Sequence, residues 1–189
     1  MIKKLVEASR SVRSFRPNTE ISEEALIELV DVARKCPAAM NLQPLKYRLV
    51  TKKEERDALL GITRWATSLS IKLPPDDHEP AAYIVICHDK NIAEEKPIFM
   101  IDVGIVSQTM LLAAKEIGLG GCLIGSAAGE TIRETLLLPE NIAPKLILAL
   151  GIPAEKAVLE EEANGNVAYY RDGDNVHHVP KRKLKDIII

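Results

Sequence analysis

Residues 98–125, IFMIDVGIVSQTMLLAAKEIGLGGCLIG, decide the fold. Phe99, Val103, Val106, Met110, Ala113 and Ile117 recur at alternating steps of four and three, which places them on one face of an α-helix, while Ile101, Ile105 and Leu112 fill the opposite face. A helix that is apolar nearly all round belongs in the middle of a fold or at an interface between two copies. The run carries Asp102, Ser107, Gln108 and Thr109, whereas a membrane span needs about 20 cleaner residues. The spacing therefore predicts a buried helix from about Pro97 to Ile117, stopped by Gly118, and GGCLIG after it reads as a short strand.

Outward from this helix, AAYIVICHD (81–89) is a continuous apolar run of strand length, as expected for a strand buried on both faces. KLILALGIP (145–153) reads as another strand and GETIRETLLL (129–138) as a helix. Toward the N-terminus, SEEALIELVDVARK (22–35) predicts a helix, with Ser22 as cap, Glu23 and Glu24 in the first turn, and Leu26, Leu29, Val30 and Ala33 at helical spacing. A short helix is expected over residues 2–9, ending before Pro17, and KKEERDALLGITRWATSL (52–69) reads as one or two helices. CPAAMNLQPLKYRLV (36–50) is broken by Pro37 and Pro44 and runs into a strand near Leu45–Thr51. From Glu160 the chain turns polar, and GNVAYYRDGDNVHHV predicts two strands with a turn at Asp172-Gly173 or Asp174-Asn175. The mixture, without a regular βαβ rhythm, predicts an α+β or irregular α/β class and one domain over residues 1–189.

Composition narrows the function classes. The 189 residues are 47% apolar and 28% charged, with a net charge of -2, which describes a globular chain. The absence of a basic excess and the 4% aromatic content argue against a nucleic-acid binder. Cys36, Cys87 and Cys122 are odd in number and lack any CxxC spacing, and MIKKLVEASR turns charged at once. The expectation is a cytoplasmic protein with reduced thiols, no membrane segment and no metal. His177 and His178 would face opposite sides of a strand and cannot share one ion. Neither HExxH nor GxSxG is present, and GLGGCLIG fails the dinucleotide pattern because position 123 is Leu123 and the run follows a helix.

Two constellations remain. SRSVRSF (9–15) holds Arg10 and Arg13 around Ser11. On a helix the two guanidiniums are i, i+3 neighbours and make a phosphate clamp, and the competing reading is cations at a helix C-terminus facing water. Asn41 and Gln43 place two amides beside prolines, immediately ahead of a strand. Gly125, at a strand end, leaves room for a ligand to approach the backbone.

With these residues in hand, the chain resembles the nitroreductase family of FMN-dependent oxidoreductases. SRSVRSF resembles the family's Arg-Arg-Ser-Ile-Arg-x-Phe segment, and PAAMNLQPL (37–45) its Pro-Ser-x-x-Asn-x-Gln-Pro-Trp segment. The central helix, LILALGIPAE (146–155) and VPKRKLKDII (179–188) follow in the family's order. The departures are Ser9 for the first arginine, Ala38 for the serine after the proline, Leu45 for the tryptophan, and Gly125 where some subgroups carry an acid.

The resemblance implies a mostly antiparallel central sheet flanked by helices, in an intertwined homodimer. It implies that Arg10, Ser11 and Arg13 hold the FMN phosphate and ribityl chain, with Lys181 and Arg182 completing the cationic site. Pro37, Ala38 and Ala39 would lie against the isoalloxazine ring, with Asn41 and Gln43 nearby and contributed in many members by the partner subunit. Ile124, Gly125 and Ser126 would stand near the ring, one backbone N–H reaching toward N5. The implied reaction carries hydride from NADH or NADPH through N5 to an electron-poor small-molecule acceptor such as a nitroaromatic or a quinone, in ping-pong order, with no side chain required as acid or base. The same fold also implies alternatives: dehalogenation, desaturation or flavin breakdown, or a non-enzymatic flavin carrier or sensor with Cys36 beside the ring. A bare interaction domain is the reading if the clamp and amides are coincidental.

Overall fold

The computed structural model describes residues 1–189. Seven strands and five helices form an α+β architecture, as expected: α1 (Ile2–Ala8), α2 (Glu23–Ala33), β1 (Leu45–Val50), α3 (Lys53–Ile62), β2 (Ala82–Asp89), α4 (Phe99–Glu116), β3 (Gly120–Ile124), α5 (Gly129–Thr135), β4 (Ile142–Gly151), β5 (Ala157–Glu161), β6 (Tyr170–Arg171) and β7 (His177–Lys181). The main sheet has the order β1-β2-β4-β3, and all its pairings are antiparallel. No helix is long and apolar enough to cross a membrane.

The unbroken apolar run of β2 is explained by helices on both faces of the sheet. Tyr83, Val85 and Cys87 point into one core with Leu59 of α3, Ile132 of α5, Trp65 and Phe15. Ala82, Ile84 and Ile86, alternating with them, point into the other with Leu26 and Leu29 of α2 and Val103, Val106 and Met110 of α4. Such alternation is what a pleated strand requires, and no bare face is left along β2.

Helix α4 buries Phe99, Val103, Val106, Met110 and Ala114 but leaves its second apolar face uncovered. Ile101 and Ile105 retain 57% and 36% of their surface, and Ile98, Met100 and Ile117 are also exposed. Gly118, at φ +83, ends the helix as predicted. Ser22 caps α2, its hydroxyl accepting from the Ala25 N–H at 3.2 Å.

The segment 52–69, expected to hold one or two helices, holds one that ends at Ile62, with Thr63 extended and the Trp65 indole tied back to the Thr63 hydroxyl at 3.0 Å. Two local expectations are corrected. Strand β5 was not anticipated; it pairs parallel with β7, and β6 joins β7 antiparallel around the turn at Asp172. The Asp172 carboxylate accepts from the Asp174 and Val176 N–H groups at 3.0 and 2.8 Å. Helix α1 stops at Ala8, so Ser9–Phe15 is extended instead of helical and lies along β3. There Ser11 bridges Gly121 in parallel, and the Val12 N–H donates to the Gly121 carbonyl at 2.9 Å.

Gly120 permits this close approach, since a Cβ there would stand 2.8 Å from a Val12 methyl, whereas a Cβ on Gly121 would stand 2.4 Å from the Ala149 carbonyl oxygen of β4.

Candidate functional site

The extended backbone of Ser9–Phe15 undoes the clamp expected from a helix. Residues three apart on an extended chain point to opposite sides, so Arg10 and Arg13 enter different surroundings. The Arg10 Nη2 donates to the Val6 carbonyl at 2.5 Å, while its buried Nε–H has no partner in the chain. Burial lowers the pKa of this guanidinium. Arg10 lines a cavity of about 210 Å³ with Ser9, Lys115, Gly120, Lys156 and Glu155. Three cations thus face one carboxylate, and that carboxylate is already engaged elsewhere. An orphaned guanidinium N–H in a cationic recess fits an anion of phosphate type.

Arg13 is held from behind. Its backbone N–H donates to Glu155, whose carboxylate also pairs with Arg171. This ion pair is nearly dry, with side-chain exposures of 9% for Arg171 and 3% for Glu155. The Arg13 guanidinium lies 5.7 Å from the Tyr169 ring centroid, and Tyr169 packs on His177 at 5.3 Å. Burial, reinforced by Arg13 and Arg171, lowers the pKa of His177. Glu155, Lys115 and Lys156 were not among the sequence candidates. The acid that follows Gly151-Ile152-Pro153-Ala154 was visible, but nothing local told that it would meet Arg13.

Lys181 and Arg182 are exposed at the end of β7 and do not line the Arg10 cavity. His177 and His178 face opposite sides of β7. His178 is wedged between Glu160 and Asp172, each 2.9 Å from one ring nitrogen, and stacks on Tyr170 at 4.6 Å.

The two amides lie in a tight turn ahead of β1. Asn41 and Gln43 are exposed and bonded to each other: the Gln43 Nε2 donates to the Asn41 carbonyl at 3.2 Å and to its Oδ1 at 3.1 Å. Met40, Asn41 and Gln43 have φ of 53°, 54° and 52°, a left-handed geometry that residues with a Cβ seldom adopt. Pro37 is exposed and Ala38 and Ala39 half-buried. Both Asp102 oxygens accept from the Ala39 N–H, at 3.0 and 3.1 Å. With Cys36 and Gln43, Asp102 also lines a recess of about 130 Å³ beside Tyr47, whose hydroxyl pKa burial pushes up to about 12.

Beyond β3, Gly125 is exposed, a Cβ there would meet only a Leu146 methyl at 3.9 Å, and its N–H makes no hydrogen bond within the chain. The Ser126 hydroxyl is occupied: it accepts from the Arg64 N–H at 2.8 Å and donates to the Arg64 carbonyl at 3.0 Å. Ile124 is buried in the core and contributes backbone only.

The sheet order separates these groups. The start of β1 and the end of β3 lie at the same end of the sheet, but on its two edges. Three strand spacings, about 14 Å, lie between them, and the arginine segment is one spacing further out. The two groups therefore lie apart in one chain: cations and Gly125 on one edge, prolines and amides on the other.

Residues 6–152 match the model of the nitroreductase family. The oxygen-insensitive NADPH nitroreductase of Salmonella typhimurium is 29% identical over 167 residues, covering 80% of this chain and 65% of that protein. The FMN reductase (NADPH) of Bacillus subtilis is 26% identical over 188 residues, covering 89% of this chain and 72% of that one. Among solved structures, one from Exiguobacterium sibiricum in complex with FMN superposes with a TM-score of 0.68 at 18% identity, covering 82% of this chain and 89% of that one.

Proposed function

The chain belongs to the nitroreductase family, and from that premise we propose that it is an FMN-dependent oxidoreductase that works as a homodimer with NADH or NADPH as donor. The observation that carries this reading is the half-buried Arg10, whose guanidinium has a buried Nε–H without a partner and which lines a recess together with Lys115 and Lys156. Bound FMN would supply a hydride relay through N5, from the nicotinamide to an electron-poor acceptor such as a nitroaromatic or a quinone.

The chain's own residues divide the work of binding. Arg10 holds the phosphate with Lys115 and Lys156 adding positive charge, Ser11 and Arg13 on the other side of the extended segment hold the ribityl chain, and Lys181 and Arg182 extend the field from β7. Glu155 fixes the backbone at Arg13 and neutralises Arg171, so the Arg13 guanidinium remains available. The open N–H of Gly125 stands ready to donate to the ring edge. Pro37, Ala38 and Ala39, with the amides of Asn41 and Gln43, come from the second copy, because the first copy's own set lies on its far edge. Closing two half-sites over the ring excludes water from one face and leaves the other for donor and acceptor in turn, which gives ping-pong order.

The test is an anaerobic absorbance spectrum of the purified protein, before and after NADH and then NADPH. Flavin bands that bleach, followed by parallel double-reciprocal lines when donor and acceptor are varied, are expected. Protein that takes up no FMN on reconstitution refutes the reading. Bound flavin that neither donor reduces makes the chain a carrier instead.

A further inference from the structure

We propose that Asp102 is a positioning residue that caps the ring-facing loop from across the fold, an inference that rests on the flavin reading above. Ala38 is the N-cap of the 3₁₀ turn Ala39–Asn41, with φ -130° and ψ 149°, and it has no side chain able to cap. Serine, threonine, asparagine or aspartate ordinarily fills that position because the first N–H groups of a helical turn lack partners. The missing acceptor arrives from α4, where both Asp102 oxygens take the Ala39 N–H.

Stability alone does not account for an aspartate at this point. Asp102 is 2% exposed and stands on the inward face of α4 between Phe99 and Val106, where an aliphatic side chain would cost nothing in desolvation. No cation pairs with it; its partner is one backbone N–H. The loop it holds is the strained one, with three left-handed residues that each carry a Cβ. Such geometry persists only where the surroundings over-determine it, and it gathers at ligand sites. The remaining ties on this loop are local, the Asn41 and Leu42 N–H groups to the Ala38 and Ala39 carbonyls at 3.0 and 3.1 Å and the Gln43–Asn41 bonds, apart from the Asp89 N–H to the Pro44 carbonyl at 2.8 Å. Apparent affinity falls with the fraction of chains whose loop holds the binding shape, so the cap acts on FMN without touching it.

The test compares wild type, Asp102→Ala, Asp102→Asn, Ala38→Ser and the Ala38→Ser/Asp102→Ala double variant as full chains. FMN dissociation constants are read together with amide hydrogen exchange over residues 38–43 in protein stripped of flavin. Loss of a cap and a charged acceptor is expected to weaken FMN about fivefold to tenfold in Asp102→Ala and to speed exchange by a similar factor. Asp102→Asn, which keeps one acceptor oxygen, should lose about threefold or less. The serine restores a local cap, so in flavin-free protein Ala38→Ser should slow exchange over residues 38–43 in the Asp102→Ala background and far less in wild type. An Asp102→Ala chain that binds FMN as wild type does overturns the proposal. A slowing of exchange that is equal in both backgrounds also overturns it, since Asp102 then does not fill the cap. If wild type takes up no FMN while exchange follows the expected pattern, the flavin reading fails and the cap stands.

Discussion

Replacing Ile101 and Ile105 together by glutamate should dissolve the proposed homodimer, whose interface we assign to the uncovered face of α4, and with it the flavin site. Full burial of an isoleucine contributes about 1.5–3 kcal/mol. The two side chains retain 57% and 36% of their surface in the isolated chain, together close to one whole isoleucine still to be covered. Counted on both copies of a two-fold contact, covering them contributes about 3–6 kcal/mol, or two to four orders of magnitude in the dissociation constant. Carboxylates in their place add a desolvation cost on top. Both residues face outward from α4, so the fold itself should survive, which far-UV circular dichroism checks. Sedimentation equilibrium over a dilution series should show the double variant as a monomer at concentrations where wild type is dimeric. FMN retention after gel filtration should fall in step. A double variant that sediments like wild type refutes the assignment of this face as the interface. A monomer that keeps FMN tightly refutes the division of the site between two chains.

Three further outcomes can be checked directly. Gly121→Ala places a Cβ 2.4 Å from a backbone carbonyl that cannot swing away, so thermal unfolding should show a loss of about 2–3 kcal/mol, or about 4–12 °C; a melting temperature unchanged within error refutes the tight packing of Gly121 against the Ala149 carbonyl of β4. Glu155→Ala leaves the Arg171 guanidinium buried without its partner and should cost about 3–5 kcal/mol in denaturant titrations, whereas replacing both partners with apolar residues of similar volume should cost much less. The β5–β7–β6 sheet should loosen toward alkaline pH. Hydrogen bonding to Asp172 and then to Glu160 raises the pKa of His178, and bonding to His178 lowers that of Asp172. The His178 contribution is complete below its ordinary pKa and is lost as pH rises through the raised one; the Asp172 contribution is lost as pH falls through its depressed one. Protection factors at the β7 amides, with the intrinsic pH dependence of exchange divided out, should therefore be highest in mildly acidic solution, and His178→Gln should flatten that profile.

The parts legible in the sequence were those with a strong period. The four-three stripe of α4 marks the face that the helix buries, and the unbroken run of β2 marks burial on both faces of a strand. Strand β5 escaped because AVLEE lies at the rim, half-buried, with no alternation to mark it. The arginine clamp was misread by a boundary: α1 ends two residues before Arg10, and that small shift turns a shared face into opposite ones. Asp102 was seen only as a break in an apolar run. Its role depends on Ala39, which lies 63 residues away in the chain, and no local pattern encodes that meeting. The same holds for Glu155 and Arg13, 142 residues apart.

The placement of cations and amides on opposite sheet edges has a genetic corollary. A chain crippled at Arg13 still owns sound amides, and a chain crippled at Gln43 still owns sound cations. Coexpressed, the two pair at random, and each mixed dimer gathers both sound halves into one site and both damaged halves into the other. About a quarter of all sites should then be intact, and two inactive alleles would rescue one another in a single cell.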